Sequence, residues 1–256
     1  MYGRRMARPR KRHVQQRIHF RTHGGARPGA GRKPNGLRAG QPHARRPQLR
    51  ASQPVHVTLR VAPDIRQLRV RDLYHAIRHA TLAVASRDDF RIVHLSIQHD
   101  HVHLIAEAEG RLCLSRGVRS FEISAARQIN RALSARHPAR PRTGAVFPDR
   151  YHARILNSPK SARAAICYVV NNWRKHGEDR TELLRDYDID PFSSGISFTG
   201  WRELQGRPWL WQPPPSYQPL RVRRPRTWLL AHGWQRAGAI GVRDVPGAGS
   251  RPECDE

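Results

Sequence analysis

Residues 90–109 read FRIVHLSIQHDHVHLIAEAE. Two apolar runs flank a short polar break, Gln98-His99-Asp100, which predicts a tight turn joining two strands of a hairpin. Side chains alternate faces along a strand, so His101 and His103 share one side while Val102, Leu104 and Ala106 share the other. Two imidazoles side by side on a rigid strand are a good beginning for a metal site. The pattern is weak alone, because 15 histidines in 256 residues produce such pairs by chance. Its weight comes from what lies downstream.

Working outward, Val55–Val61 (VHVTLRV) alternates and predicts a strand, and Pro63-Asp64 breaks it. Val70–Ala85 carries Leu73, Ile77, Ala80, Leu82 and Val84 at near-helical spacing. After the hairpin, Ser115–Arg136 predicts a second helix with a stripe of Val118, Phe121, Ile123, Ala125, Ala126, Ile129 and Leu133. Residues 137–144 form a Pro/Arg/Gly loop. Val146–Leu156 (VFPDRYHARIL) predicts a short strand that Pro148 confines to an edge. Ser158-Pro159 is a cap followed by proline, and the helix it opens runs to about His176 and stops at Gly177. The order β-α-β-β-α-β-α predicts an α+β fold, a ferredoxin-like split β-α-β sandwich with an added C-terminal tyrosine-bearing helix. Helices cover one sheet face in that architecture, and the other face is available to a long ligand.

The flanks differ in composition. Residues 1–53 are rich in Arg, Gly, Pro, Gln and His, and predict a disordered basic tail. Within it Gly24–Pro34 (GGARPGAGRKP) places Arg32 and Lys33 between Gly and Pro, as in an AT-hook-like minor-groove element. An unspecific basic tail is the simpler and preferred reading. Residues 54–177 hold the predicted catalytic domain, and 178–256 form a Trp/Pro/Arg-rich appendage with Trp209-Leu210-Trp211, Pro213–Pro215 and Arg221–Arg226. Its tryptophans suit either base stacking beside arginine or a small core of their own, the second being preferred. Thr227–Ala237 predicts one short helix.

Lys+Arg number 47 against 20 Asp+Glu, a formal net charge of +27. That imbalance points to a polyanionic partner, nucleic acid first. Cys113, Cys167 and Cys254 have no paired spacing, so neither a disulfide framework nor a cysteine zinc site is indicated, and a cytoplasmic, nucleoid-associated setting fits. No apolar run approaches the roughly 20 residues of a membrane span, and the basic N-terminus lacks the apolar stretch of a secretory signal.

The last helix carries the second half of the chemistry. Ala162, Ile166, Val169 and Trp173 form its core stripe. Tyr168 and Asn172, four apart, stack on an adjacent face whose flank holds the small residues Ser161 and Ala165. Two neutral imidazoles and an amide oxygen can hold a divalent ion that stabilises charge developing on a phosphodiester. A phenolate can then attack phosphorus, although a phenol pKa near 10 makes unaided tyrosine a poor nucleophile. Tyr151, beside Arg150 and His152, is the rival nucleophile, or else a residue that packs or stacks a base; Tyr168 is preferred because only it has a partner at i+4. Asp100 either orients an imidazole or caps its turn. His94 on the neighbouring strand either approaches the site or, the preferred reading, is a core or surface histidine. Arg127, Arg131 and Arg163 read equally as phosphate contacts or solvated helix faces.

His101-Val102-His103 matches the His-hydrophobic-His motif of HUH endonucleases, and Tyr168-Val169-Val170-Asn171-Asn172 matches the Tyr-x-x-x-Asn helix of single-tyrosine transposases. With Phe147–His152 (FPDRYH), which is similar to the aromatic strand before that helix, residues 54–177 resemble the REP-associated tyrosine transposases. The resemblance implies His101, His103 and Asn172 as ligands of Mg²⁺ or Mn²⁺ and Tyr168 as nucleophile. It implies cleavage and rejoining of single-stranded DNA at hairpins or palindromic repeats through a 5′-phosphotyrosine with a free 3′-OH. Some members act as dimers, so a homodimer is compatible with it. Trp173 stands where family helices often have proline after the asparagine. The alternatives are a non-catalytic nucleic-acid-binding protein that keeps the fold and, last, a metal hydrolase using water, for which no third carboxylate or general base is evident.

Overall fold

The computed structural model describes residues 46–247, apart from residues 66, 183 and 208. Strand β1 (Val55–Arg60) leads to helix α1 (Arg71–Ala85), the hairpin of β2 (Phe90–Ile97) and β3 (His101–Ala108), helix α2 (Arg111–Arg136), the short strand β4 (His152–Ile155) and helix α3 (Pro159–Lys175). The sheet order is β2-β3-β1-β4, with every pairing antiparallel. β1 and β2 are thus parallel with β3 inserted between them, which is the ferredoxin-like split β-α-β arrangement, and α3 is the added helix.

Alternation along the strands sorts the side chains into two cores. Val55, Val57 and Leu59 of β1 and Val102, Leu104 and Ala106 of β3 pack with Leu73 and Ile77 of α1 and Val118, Phe121 and Ile129 of α2. Ile105 of β3 turns the other way, onto Ala162, Ile166, Val169 and Val170 of α3. A bulge in β2, where Ile92 pairs with Ala106 and His94 with Ile105, aims the extra residue Val93 at α3. The second face is therefore not wholly open. α3 packs over β2 and β3, and the β1–β4 half of that face keeps Arg60, His152 and Arg154 exposed.

Two local features fix the helices that flank the site. α2 begins at Arg111, four residues before the expected start, and buries Leu114. Its Gly117 lies so close to β2 that a Cβ there would overlap the Phe90 ring. α3 opens on a reciprocal cap: Ser161 N donates to Ser158 Oγ at 3.2 Å, and Ser158 N donates to Ser161 Oγ at 3.0 Å. It ends before Gly177, whose φ of 72° is left-handed.

The C-terminal residues pack onto the outer side of α3. Phe198, Trp201, Leu230, Trp234, Ile240 and Val242 join Ile166, Val169 and Val170 in one cluster, whereas Trp209 and Trp228 stay exposed. The single helix expected over 227–237 is split into α4 (Trp228–Ala231) and a 3-10 turn, Gly233–Ala237. Polar clamps reinforce this packing. Arg69 forks onto the buried Asp190 carboxylate at 2.9 and 3.0 Å and donates to the Ile97 carbonyl. The Glu107 carboxylate accepts from the backbone of Arg226 and Thr227 and from the Thr227 hydroxyl. None of the described helices is long and apolar enough to cross a membrane.

His94 sits in this second core with its ring edge against Phe198 at 5.4 Å and its Nδ1 buried without a partner. Burial pushes its pKa down to about 4 from an ordinary 6.5. A base held neutral in the fold contributes stability above its unfolded pKa that is lost as pH falls toward the folded one. Between pH 7.5 and 5 that loss is about 2 kcal/mol. Urea unfolding of the His94→Phe protein is expected to show an acid-side decline smaller by that amount; identical pH profiles would contradict the assignment.

Candidate active site

β3 places His101 and His103 on the α3 side of the sheet, with ring planes at 88° and centroids 4.6 Å apart. Their Nε2 atoms stand 2.9 Å from each other. The Nδ1 atoms are occupied: that of His101 is 2.5 Å from the Asp100 carboxylate. That of His103 is 3.1 Å from both Thr58 Oγ1 and His56 Nε2, across the β1–β3 ladder. A carboxylate only accepts from a neutral imidazole, so His101 carries its proton on Nδ1 and leaves the Nε2 lone pair free. Donation from His103 Nδ1 to Thr58 or His56 frees its Nε2 in the same way. Burial pushes His103 down to about 2 and His56 to about 4, and it lowers His101 despite the opposing pull of Asp100. The three rings are therefore neutral at physiological pH, the state in which imidazole binds metal.

α3 supplies the facing groups. The Tyr168 ring lies 5.0 Å from that of His103, edge to face, and 5.7 Å from that of His56. Two turns on, His176 lies 6.2 Å from His101. Asn172 falls one turn from each on the same helix face, which brackets it between the two histidines. It is fully buried, and neither its Oδ1 nor its Nδ2 has a hydrogen-bond partner among the described residues. An amide left unpaired in the interior is costly, and both its atoms are free to take a ligand. Its neighbour Asn171 instead donates to the Gly241 carbonyl at 2.9 Å and ties α3 to the C-terminal segment. The Tyr168 phenol is half-buried, and burial raises its pKa. The Lys175 ammonium lies 5.0 Å over its ring.

These donors fit a divalent cation. Two nitrogens bound to one ion at about 2.1 Å and at right angles stand about 3 Å apart, close to the Nε2 separation of 2.9 Å. No cluster of three histidine, cysteine or carboxylate ligands exists among the described residues, so a third protein ligand would have to be of another type, and the unpaired Asn172 amide is a donor of that type.

The other sequence candidates lie elsewhere. Tyr151 is buried in the α1–α2 core, its ring covered by the Arg46 guanidinium at 3.4 Å, on the far side of the sheet from the histidine pair. Arg127 and Arg131 are exposed on α2, also away from Tyr168. Arg163 is engaged with the Gly238 and Ala239 carbonyls and with Asp244. Arg32 and Lys33, with the AT-hook-like segment, fall outside the described residues. Sequence reasoning did not single out His56, Thr58, Lys175 or His176. The alternation of VHVTL put the first two on one strand face, and a further step of four from Asn172 reached His176.

The Asp100 and Thr58 contacts orient the rings, and loss of such a contact typically lowers metal affinity 10–100-fold. Asp100→Asn and Thr58→Val are each expected to weaken Mn²⁺ binding by at least about 10-fold in an electron paramagnetic resonance titration. Affinities equal to the parent protein's would show that these contacts do not serve the metal.

Residues 54–172 match the family model described as "Transposase IS200 like". No curated protein sequence matches the chain. A solved structure of a REP-associated tyrosine transposase bound to a REP hairpin is 19% identical, with a TM-score of 0.47 over 73% of this chain and 100% of that one. A putative transposase from Deinococcus radiodurans R1 is 18% identical, with a TM-score of 0.34 over 55% of this chain and 96% of that one. A bacterial tRNA(His) guanylyltransferase-like protein in complex with ATP gives 15% identity and a TM-score of 0.32 over 52% and 59%. Over residues 54–172, somewhat under half of its length, the chain is similar to the IS200-like transposase family.

Proposed function

We propose that this chain is a transposase that cleaves and rejoins single-stranded DNA at hairpins or palindromic repeats, with Tyr168 as the nucleophile and residues 54–177 as the catalytic unit. The observation that carries the reading is the placement of Tyr168 against His103 with the unpaired, buried Asn172 amide one turn away. Tyr168 Oη attacks phosphorus, the Oη–P bond forms, and the P–O3′ bond breaks. The phenolic proton leaves, the departing 3′ oxygen takes one up, and the 5′-phosphate stays on the tyrosine. The reverse attack by a 3′-OH restores a phosphodiester with no external energy source, because one ester is exchanged for another.

His101, His103 and Asn172 would hold Mg²⁺ or Mn²⁺, which when bound supplies positive charge to the phosphodiester and to the phenolic oxygen. The chain itself gives Tyr168 little help in ionising, since burial raises its pKa and His56, held near 4, is a weak base. α3 serves as a rigid rail, pinned to the C-terminal segment by Asn171 and by Arg174, which donates to the Val242 and Asp188 carbonyls. The exposed Arg60, His152 and Arg154 on the uncovered half of the sheet offer the strand a basic floor beside Tyr168. The net charge of +27 supports the same partner, and a nucleoid location follows from it.

The test is covalent capture. End-labelled single-stranded hairpin oligonucleotides incubated with Mn²⁺ are expected to form an adduct that survives SDS. The adduct should vanish with EDTA and in Tyr168→Phe, and persist in Tyr151→Phe. An adduct retained by Tyr168→Phe would refute the nucleophile. Tight hairpin binding with no adduct in any metal would leave a non-catalytic DNA-binding protein.

A further inference from the structure

The arginines of α3 are spent on the protein itself. Arg163 donates to the Gly238 and Ala239 carbonyls, and Arg174 donates to those of Val242 and Asp188. Lys175, the next cation along the helix, is used differently. It is exposed, and among the described residues its ammonium meets no carboxylate and no carbonyl. It lies instead 5.0 Å over the Tyr168 ring.

That placement is not what a helix end alone would produce. Lys175 follows Tyr168 by seven residues, two turns or about 10 Å along the axis. Helical side chains lean toward the N-terminus, so the long lysine stem brings the ammonium back over the ring. A lysine serving only the helix dipole would sit at the carbonyls of the last turn, which point the other way. The charge is also felt across the site. Burial first, then the neighbouring imidazoles and the Lys175 ammonium, push His103 down. Lys175 is thus a cation held between the tyrosine and the histidine pair, with no anion of the protein beside it. A ring face holds an exposed ammonium only weakly, so the group is free to move to an anion that arrives at the phenolic oxygen.

We propose that Lys175 is a further catalytic residue, its ammonium donating to a non-bridging oxygen of the phosphate that Tyr168 attacks. The ammonium stays charged and gives up no proton. Its hydrogen bond strengthens as negative charge builds on the oxygens of the five-coordinate phosphorus, which is the condition for lowering the barrier. The same contact holds the phosphate once it is on the tyrosine, until a 3′-OH attacks and the Oη–P bond breaks. Lysine suits the task because it acts as a point charge on a flexible stem and can follow the phosphorus through both steps.

This inference rests on the reading that Tyr168 forms the adduct, and the test separates the two. Covalent capture first identifies the linkage that is cut. Hairpin oligonucleotides are then made with that one linkage either as the phosphodiester or as an uncharged methylphosphonate. Binding is measured in EDTA, so that no metal shares the phosphate, with full-length Tyr168→Phe protein, which does not cut. The neutral linkage is expected to weaken binding about 10-fold, and to cost nothing once Lys175→Met is added. In the tyrosine-bearing protein at saturating DNA, Lys175→Met should slow adduct formation roughly 100-fold. Lys175→Arg, which keeps the charge, should slow it less. An equal effect of the neutral linkage with and without Lys175, or unchanged adduct formation in Lys175→Met, would overturn the assignment and leave the tyrosine chemistry intact. A parent protein that forms no adduct on any hairpin would overturn both.

Discussion

Thr58 stands opposite His103 in the β1–β3 ladder, and Arg60 stands opposite His101. The rest of the site depends on that register. A strand alternates faces with a period of two, so a slip of one residue would turn both imidazoles into the α1–α2 core and bring Val102 to the surface beside α3. The slip is resisted by Val55, Val57 and Leu59 on β1 and by Val102, Leu104 and Ala106 on β3, all buried on the opposite face. The apolar residues between the histidines are therefore what hold the histidines in place. The same ladder gives His103 its Nδ1 partners, so register also settles which nitrogen is left free.

α3 works against this sheet from the other side. Two consecutive asparagines show how the helix divides its labour. Asn171 reaches outward to the Gly241 carbonyl and fastens the helix to the C-terminal segment, while Asn172, one turn from Tyr168, is buried with its amide unpaired. Tight anchoring of one makes the unpaired burial of the other tolerable, because a buried polar group without a partner survives only where the surrounding packing dictates its position. Arg163 and Arg174 do similar anchoring work, each donating to carbonyl oxygens of the C-terminal segment.

Most of this fold is written in short-range patterns. The alternation of VHVTLRV and HVHLIA, the spacing of Ala162, Ile166, Val169 and Trp173, and the Ser158-Pro159 cap are local signals, and each is realised in the structure. The pairing of Tyr168 with Asn172 was visible for the same reason, as neighbours at i+4 on one helix. The roles of Thr58 and His56 were not, because their partner His103 lies 45 and 47 residues away and only strand pairing brings them together. Tyr151 takes the packing role rather than the rival one: its neighbours Arg150 and His152 are polar, yet its ring turns inward under Arg46. The C-terminal segment was least legible. Its tryptophans carry no periodicity, and whether each is buried depends on where α3 presents an apolar surface, as it does to Trp201 and Trp234 but not to Trp209.

The central claim is that β3 and α3 build one cation site from His101, His103 and Asn172, beside Tyr168. Anomalous diffraction from crystals of the protein grown with Mn²⁺ tests it most directly. The account predicts a single strong peak bonded to Nε2 of both histidines and to Oδ1 of Asn172, with the Asp100 and Thr58 contacts to the Nδ1 atoms retained. A manganese ion held through an Nδ1 atom, or bound to the histidines with the Asn172 oxygen turned away from it, would contradict it.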